Sequence, residues 1–367
     1  MSAFSTLEDF RVIGRCDHKL LDIVVISICA VISGANTWVD IHDFGVAKQA
    51  WFSKFLELPN GIPSHDTIGR IFSMLDPVKF EICFMNWIQT VFEVTQGQIV
   101  PVDGKTLRQS YDRKSEKAAI HMVSAWASRN GIVLGQIKTD EKSNEITAIP
   151  ELLNLLDITG CVITIDAMGC QKAIAENIVN NSADYVIAIK ENQPTLYNEI
   201  VEHIDDALAQ GAKAKTILDF HETINEDHGR KEVRRYYISE DIDSIDSAVD
   251  WKGLNSIGMV ESIRTVNGKT TITRRYHIAS IEKNAKNYAA ANRAHWSVEN
   301  SLHWNLDVSF REDESRVRKD HAPNNFSVLR RIALNYLKNE RTVKRGIEGK
   351  RNKAGWDINY LEKVVGF

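Results

Sequence analysis

The chain has 367 residues, 43% hydrophobic and 26% charged, which excludes a disordered or fibrous protein and leaves room for more than one globular domain. Its formal net charge of −4 gives no overall basicity, so any surface for nucleic acid has to be local. The five cysteines, Cys16, Cys29, Cys83, Cys161 and Cys170, are odd in number and contain no CxxC pair, which argues against a disulfide framework and predicts a reducing, cytoplasmic setting.

Residues 1 to about 95 read as a helical domain, with apolar residues at three- and four-residue steps. The most apolar stretch, LLDIVVISICAVI from Leu20 to Ile32, contains Asp22 and is shorter than the ~20 residues a bilayer requires, so a buried helix is expected and no membrane partner. Breaks fall at Ser33-Gly34 and at PNGIP, and Ser64 can cap the helix SHDTIGRIFSML. That pair of short helices fits either a helix-turn-helix that reads DNA or plain packing.

From residue 96 the period changes to that of strands. GQIVPVDGKTL is followed by AIHMVSAWAS and GIVLGQIKTD, the last two a hairpin around Arg129-Asn130-Gly131. A helix at EITAIPELLNLL, a strand at CVITIDAMG, a helix at CQKAIAENIVNN and a strand at DYVIAIK complete an α/β order with a mixed sheet. A helix over 193–210 is followed by TILDFHETI, KEVRRYYIS, IGMVESIRTV and TTITRRYHIASI, a β-rich insertion at about 193–284. Helix returns from about Ala285 to NNFSVLRRIALNYLKN, and residues 341–367 form a basic tail with Arg341, Lys344, Arg345, Lys350, Arg351 and Lys353.

Three carboxylates stand out. Asp103 and Asp166 each follow an apolar strand, and ligand sites in open α/β sheets lie beyond such strand ends. Adjacent strands would bring the two acids together, where like charges ~4 Å apart repel by about 4 kcal/mol at an effective dielectric near 20. Such a pair shares a proton or holds a cation, and oxygen ligands favour Mg²⁺ or Mn²⁺. The alternative is that each Asp merely ends its strand or caps a helix. Glu299 is the third, because His295, Glu299, His303 and Asp307 recur at four-residue steps beside an apolar stripe of Val298, Leu302 and Leu306; the alternative is a solvated face, against which the nearby Trp296 and Trp304 argue. A zinc site at His295, Glu299 and His303 is the rival chemistry, without an HExxH motif or a nearby cysteine.

VDGKTLR, AIHMVSAWA, LGQIKTDEKSNEITAIPELL, VITIDAMGCQK, DYVIAIKENQ, HGRKEVRRY and HWSVENSLHWNLDVSFREDESR resemble the H-repeat-associated branch of the DDE transposases of bacterial insertion sequences. The likeness extends over nearly the whole chain, including HKLLDIVVISICAVISGA and GIPSHDTIGRIF. It implies a ribonuclease-H-like core over 96–340, interrupted by the β-rich insertion, behind the N-terminal helical domain. It implies Asp103, Asp166 and Glu299 as the catalytic triad holding two Mg²⁺ or Mn²⁺ ions, with double-stranded DNA as substrate and an assembly of identical chains on it. Many such transposases carry Tyr and Arg seven and four residues before the Glu and Lys seven after it. Here Asn292, His295 and Leu306 stand there, so the contacts of those positions do not transfer.

Arg293, His295, Asn300 and His303 are the substitutes expected to meet DNA, with Lys105 and Arg108 beside the first Asp and Lys190, Asn192 and Gln193 after the last core strand. Arg230, Lys231, Arg234, Arg235, Arg274 and Arg275 of the insertion, together with the tail, supply a local phosphate footprint. The expected function is DNA cleavage at element ends and strand transfer. Two alternatives remain at this level: a metal-dependent nuclease on the same fold, and a DNA-binding protein derived from a transposase.

Overall fold

After a 3-10 helix at Ser2–Thr6, five α-helices follow among the described residues: α1 (Leu20–Ile32), α2 (Trp38–Ala47), the single turn α3 (Gln49–Phe52), α4 (His65–Met74) and α5 (Pro77–Val91). Thr37 and Asp40 form a capping box at α2, and the Ser64 hydroxyl accepts the Thr67 N–H at α4. All of α1 except Leu21 is buried, as a helix apolar on every side must be. Its one acid, Asp22, accepts the Leu58 N–H at 3.0 Å and pins the loop after α3. This computed structural model describes residues 2–366 apart from 13, 15, 92–96, 112–117, 140–144 and 228. The domain boundary expected at 95/96 and the motif residues 140–144 and 228 therefore lie outside the described residues.

The alternating stretches then form β1 (Ile99–Thr106), β2 (His121–Ala127) and β3 (Ile132–Lys138), an antiparallel meander. After α6 (Glu145–Asn154), β4 (Val162–Ile165), α7 (Lys172–Asn180) and β5 (Asp184–Ile189), the parallel pairs β1–β4 and β4–β5 complete a ribonuclease-H-like core in the order β3-β2-β1-β4-β5. α8 (Pro194–Ala209) and the turn α9 (Ala214–Ile217) lead into β6 (Asp219–Asp227), β7 (Arg230–Ser239), β8 (Ser256–Val266) and β9 (Lys269–Ala279). β9 pairs with β5, so the insertion extends the core sheet to nine strands.

Side-chain alternation gives this sheet two different faces. Val100, Val102, Ile163 and Ile165 join the main core with Ile149 and Leu152 of α6 and Ile174 of α7. On the other face lies α10 (Ala285–Ser297), whose Tyr288, Ala289 and Ala291 share a cluster with Val186, Tyr236, Ile238 and Val260. Gly258 permits this approach, because a Cβ there would sit 2.6 Å from the Tyr288 ring.

α11 (Ala322–Asn339) is buried from Ala322 to Leu337 and joins the N-terminal helices to the sheet. Asn325 donates to Phe72 O and Leu75 O at 2.8 and 2.9 Å, while Asn335 clasps the backbone of Val133 at 2.8 and 2.9 Å. The stretch read as a basic tail is folded: α12 (Ile347–Trp356) and α13 (Ile358–Val365) pack onto this core. Lys350 and Arg351 turn inward, Lys350 to Leu337 O at 2.9 Å and Arg351 to Val31 O and Ala35 O at 3.0 Å. They satisfy carbonyls at the ends of α11 and α1, so these two cations are unavailable to phosphate. No helix of the described residues is long and apolar enough to cross a membrane.

Candidate active site

Register brings the first two acids together. Pro101 of β1 lies opposite Thr164 of β4, and Asp103 and Asp166 each stand two residues further on, at one level and on the face covered by α10. Asp166 accepts the Met168 and Gly169 N–H groups on Oδ1 at 3.1 and 3.3 Å. Capping and a functional role are therefore compatible: its second oxygen has no hydrogen-bond partner among the described residues. Asp103 Oδ1 accepts the Gly104 N–H at 2.9 Å, and its Oδ2 lies 3.7 Å from His303 Nδ1.

Burial pushes the Asp103 carboxyl up to about 7; the Gly104 N–H opposes this, and the charges of Glu145, Asp166 and Glu299 raise it further. The charges of Asp166 and Glu299 thus reach the Asp103 carboxyl, although the three side chains are not gathered tightly enough to hold an ion together. Glu145 is a fourth that sequence reasoning missed. It meets His121 Nε2 at 2.7 Å, and the pair lies against Gly104, where a Cβ would come within 2.3 Å of that nitrogen. A glycine inside a strand, next to the first Asp, was the available signal.

The segment bearing Glu299 is not a plain α-helix. Beyond Ser297 the chain is π-helical over Val298–His303 and Asn305–Ser309, and the Trp304 N–H bonds back to Glu299 O. Four-residue repeats explain this: at ~100° per residue an α-helix overshoots a four-residue step by about 40°, so three steps would smear a stripe by about 120°. Wider π turns absorb the excess. Val298, Leu302, Leu306 and Phe310 consequently stay in one fully buried row. Glu299 is carried outward beside them, exposed. His295 Nδ1 meets Thr164 Oγ1 at 3.1 Å, which docks this helix on β4 two residues before Asp166. Burial lowers the pKa of both histidines, His303 to about 4.

Lys105 is enclosed rather than open to solvent. Its Nζ lies 2.7 Å from Asp307 and 2.8 Å from Asp313, and Arg108 reaches Asp313 at 3.3 Å. Behind them the wholly buried Glu312 accepts from Arg331 at 3.0 Å; burial would raise its pKa, but Arg331 and Arg330 hold it below the ordinary value. Asn192 donates to Ala167 O at 2.8 Å and Gln193 to Cys170 O at 2.9 Å, so both buttress the loop after Asp166; Lys190 is exposed beside them.

Register also sorts the basic residues of the insertion. Glu222, Arg235, Glu261 and Arg274 stand opposite one another across four strands, facing away from α10. Arg235 reaches Glu222 at 3.0 Å, and Arg274 reaches Glu261 and Asp205 at 3.0 Å each. Arg230, Arg234, Arg264, Lys269 and Arg275 alternate to the α10 side, with Glu232 holding Arg230 and Arg234. Arg275 lies over the Trp296 ring at 4.6 Å. Arg293 and Asn300 are exposed on the Glu299 helix, and the Asn300 amide donates to Trp296 O at 3.1 Å.

The model of the transposase DDE domain matches residues 94–336, and that of its associated region matches residues 1–88. The chain belongs to the DDE transposase family. It is 43% identical to "Putative transposase YncI" of Escherichia coli O157:H7, covering 98% of this chain and 93% of the relative. It is 42% identical to "H repeat-associated putative transposase YhhI" of Escherichia coli K12, covering 100% and 97%. A solved piggyBac transposase synaptic complex with hairpin DNA aligns at a TM-score of 0.43 and 11% identity, covering 100% of this chain and 77% of that one.

The donor chemistry of these carboxylates suits divalent cations. Three further acids press on the Asp103 carboxyl, whose near basic neighbour His303 is held neutral by burial, and the oxygens they offer are all hard ligands. Among the described residues no three acidic, histidine or cysteine side chains are gathered tightly enough to hold an ion together.

Proposed function

We propose that this protein is a divalent-metal-dependent DNA transposase that cuts phosphodiester bonds at element ends and joins the freed 3′-hydroxyl to target DNA. The observation that carries this is the shared register of Asp103 and Asp166, with the Glu299 charge acting on Asp103. Asp103, Asp166 and Glu299 would hold two Mg²⁺ or Mn²⁺ ions, which supply Lewis-acid stabilisation of the attacking and leaving oxygens of an in-line displacement. The rest is positioning and preorganised electrostatics. Asn192 and Gln193 fix the Asp166 loop, Lys105 braces the Glu299 helix through Asp307, and His295 docks that helix on the sheet.

Arg230, Arg234 and Arg293 are the phosphate contacts in this proposal, with Arg108, Lys190, Asn300 and His303 nearer the acids. β7 lies five strands from β1. At ~4.8 Å per strand that is roughly 24 Å, or about seven base pairs of duplex at ~3.4 Å each. An assembly of identical chains would hold the two ends that are joined to one target, with residues 1–95 as the helical domain preceding the catalytic one.

Purified protein incubated with element-end duplex, Mg²⁺ or Mn²⁺ and a supercoiled target tests the proposal. Joined end–target product is expected. Nicks without joining would make the protein a nuclease, and binding without cleavage a DNA-binding derivative. Asp166→Asn should abolish cleavage while leaving DNA binding; near-normal cleavage by that variant refutes the triad. Activity restricted to Zn²⁺, with stoichiometric zinc released by His303→Ala, would replace the magnesium assignment by zinc.

A further inference from the structure

The segment that leaves the Glu299 helix, residues 311–319, runs along the N-terminal helices. With α2 and α4 it encloses a groove of about 930 Å³. Its basic lining comes from Arg70 of α4 and from Arg311, Arg316, Arg318 and Lys319, against the acids Asp40, Asp66 and Glu314. Asp40 is engaged by the Asn36 and Thr37 N–H groups, both at 2.9 Å. Arg70, Arg311, Arg316 and Lys319 make no ion pair among the described residues, although all four are exposed. The ion-paired Arg235 and Arg274 of the insertion are the contrast. In a chain of net charge −4, unpaired cations gathered around one concavity repel one another and favour a polyanion.

Two further features hold this lining in place. Arg311 has a φ of 49°, in the left-handed region, between the buried Phe310 and Glu312. A positive φ at a non-glycine residue is a strained conformation of the kind that clusters at ligand sites. Arg318 ties the segment to the loop after β1, donating to Gln109 O at 2.9 Å and lying over the Tyr111 ring at 4.8 Å. Asp313 of the same segment holds Lys105 of the Asp103 strand at 2.8 Å. The groove is thus tied to the Asp103 strand, and α11, which packs on α4, meets the sheet at β3, the edge opposite β6.

We propose that this groove binds the sugar–phosphate backbone of duplex DNA, so that the bond to be cut is held between two basic surfaces, this groove and the α10 face of the insertion. The inference rests on the reading above that the substrate is DNA. Arg70, Arg311, Arg316 and Lys319 would meet phosphates, and Trp38, Val39 and Val317 of the lining would face deoxyribose. A free phosphate or polyphosphate has the same charge chemistry, and the test separates them.

The probe is a ~40-base-pair duplex of mixed sequence, titrated by fluorescence anisotropy at several salt concentrations, where each lost phosphate contact lowers the salt slope by ~0.9. Arg70→Ala/Arg316→Ala should lower it by about 1.8 and weaken binding, whereas Lys231→Ala/Arg235→Ala, which removes equal charge from the other face of the insertion, should not. Charge reversal at Arg316→Glu should weaken binding further, with circular dichroism unchanged. An unaltered slope, or an equal fall in the control pair, overturns the groove. So does loss of competition by tripolyphosphate in the groove variant with duplex binding intact, which assigns the groove to a small anion. Failure of wild-type protein to bind any duplex would instead sink the DNA reading itself, and cleavage is not needed for either outcome.

Discussion

Replacing Asp103 by Asn should abolish cleavage and, in the metal-free protein, raise stability. The carboxyl is pushed from its ordinary 3.8 up to about 7, chiefly by burial and then by the charges of Glu145, Asp166 and Glu299. At ~1.36 kcal/mol per pH unit, ionising it in the fold costs at most roughly 4 kcal/mol. Its side chain is 20% exposed, and solvent reduces the cost to about 2 kcal/mol. The sign follows from proton binding. Between 3.8 and about 7 the native state holds the proton more tightly than the unfolded chain, so stability falls as pH rises through that window and stays low above it. Asn removes the penalty. With roughly 2.1 cal/mol/K of unfolding entropy per residue, ~2 kcal/mol corresponds to about 2–3 °C in Tm for a chain of this length. Thermal melts at pH 5 and pH 8 in chelator should show Asp103→Asn melting higher at pH 8, with the gap closing towards pH 5. Added Mg²⁺ should stabilise wild type and leave the variant unmoved. A variant that melts below wild type at pH 8 in chelator refutes the charge-crowded site.

Glu312→Gln would leave Arg330 and Arg331 buried without their carboxylate, a loss of about 3–5 kcal/mol in urea unfolding; an unchanged midpoint would show the network to be dispensable. Leu302→Ala opens a cavity in the row that seats the Glu299 helix, costing about 2–5 kcal/mol, and cleavage should fall further than overall folding does. Arg234→Ala should lower the salt slope of DNA binding by ~0.9, whereas Arg235→Ala, in the ion ladder of the opposite face, should leave it unchanged. Equal effects from the two arginines would break the assignment of faces.

Much of this was legible in the chain itself. Apolar runs and turn residues located the helices and strands, because burial of one face imposes its period on the sequence whatever the partner. The acids after the apolar strands at Val102 and Ile165, and the family motifs around Asp103, Asp166 and Glu299, pointed to one chemistry. The four-residue repeat of Val298, Leu302, Leu306 and Phe310 already conflicted with a 3.6-residue turn, a conflict resolved by π turns. What only the tertiary structure decided was which charges are free. Lys105 and Arg351 look no different in sequence from Arg70 or Arg316, yet long-range packing turns them onto Asp307 and onto the carbonyls of Val31 and Ala35. Strand pairing likewise split the arginines of the insertion between an ion ladder and the face shared with the acids. Charge in a sequence is local, whereas its availability depends on partners hundreds of residues away.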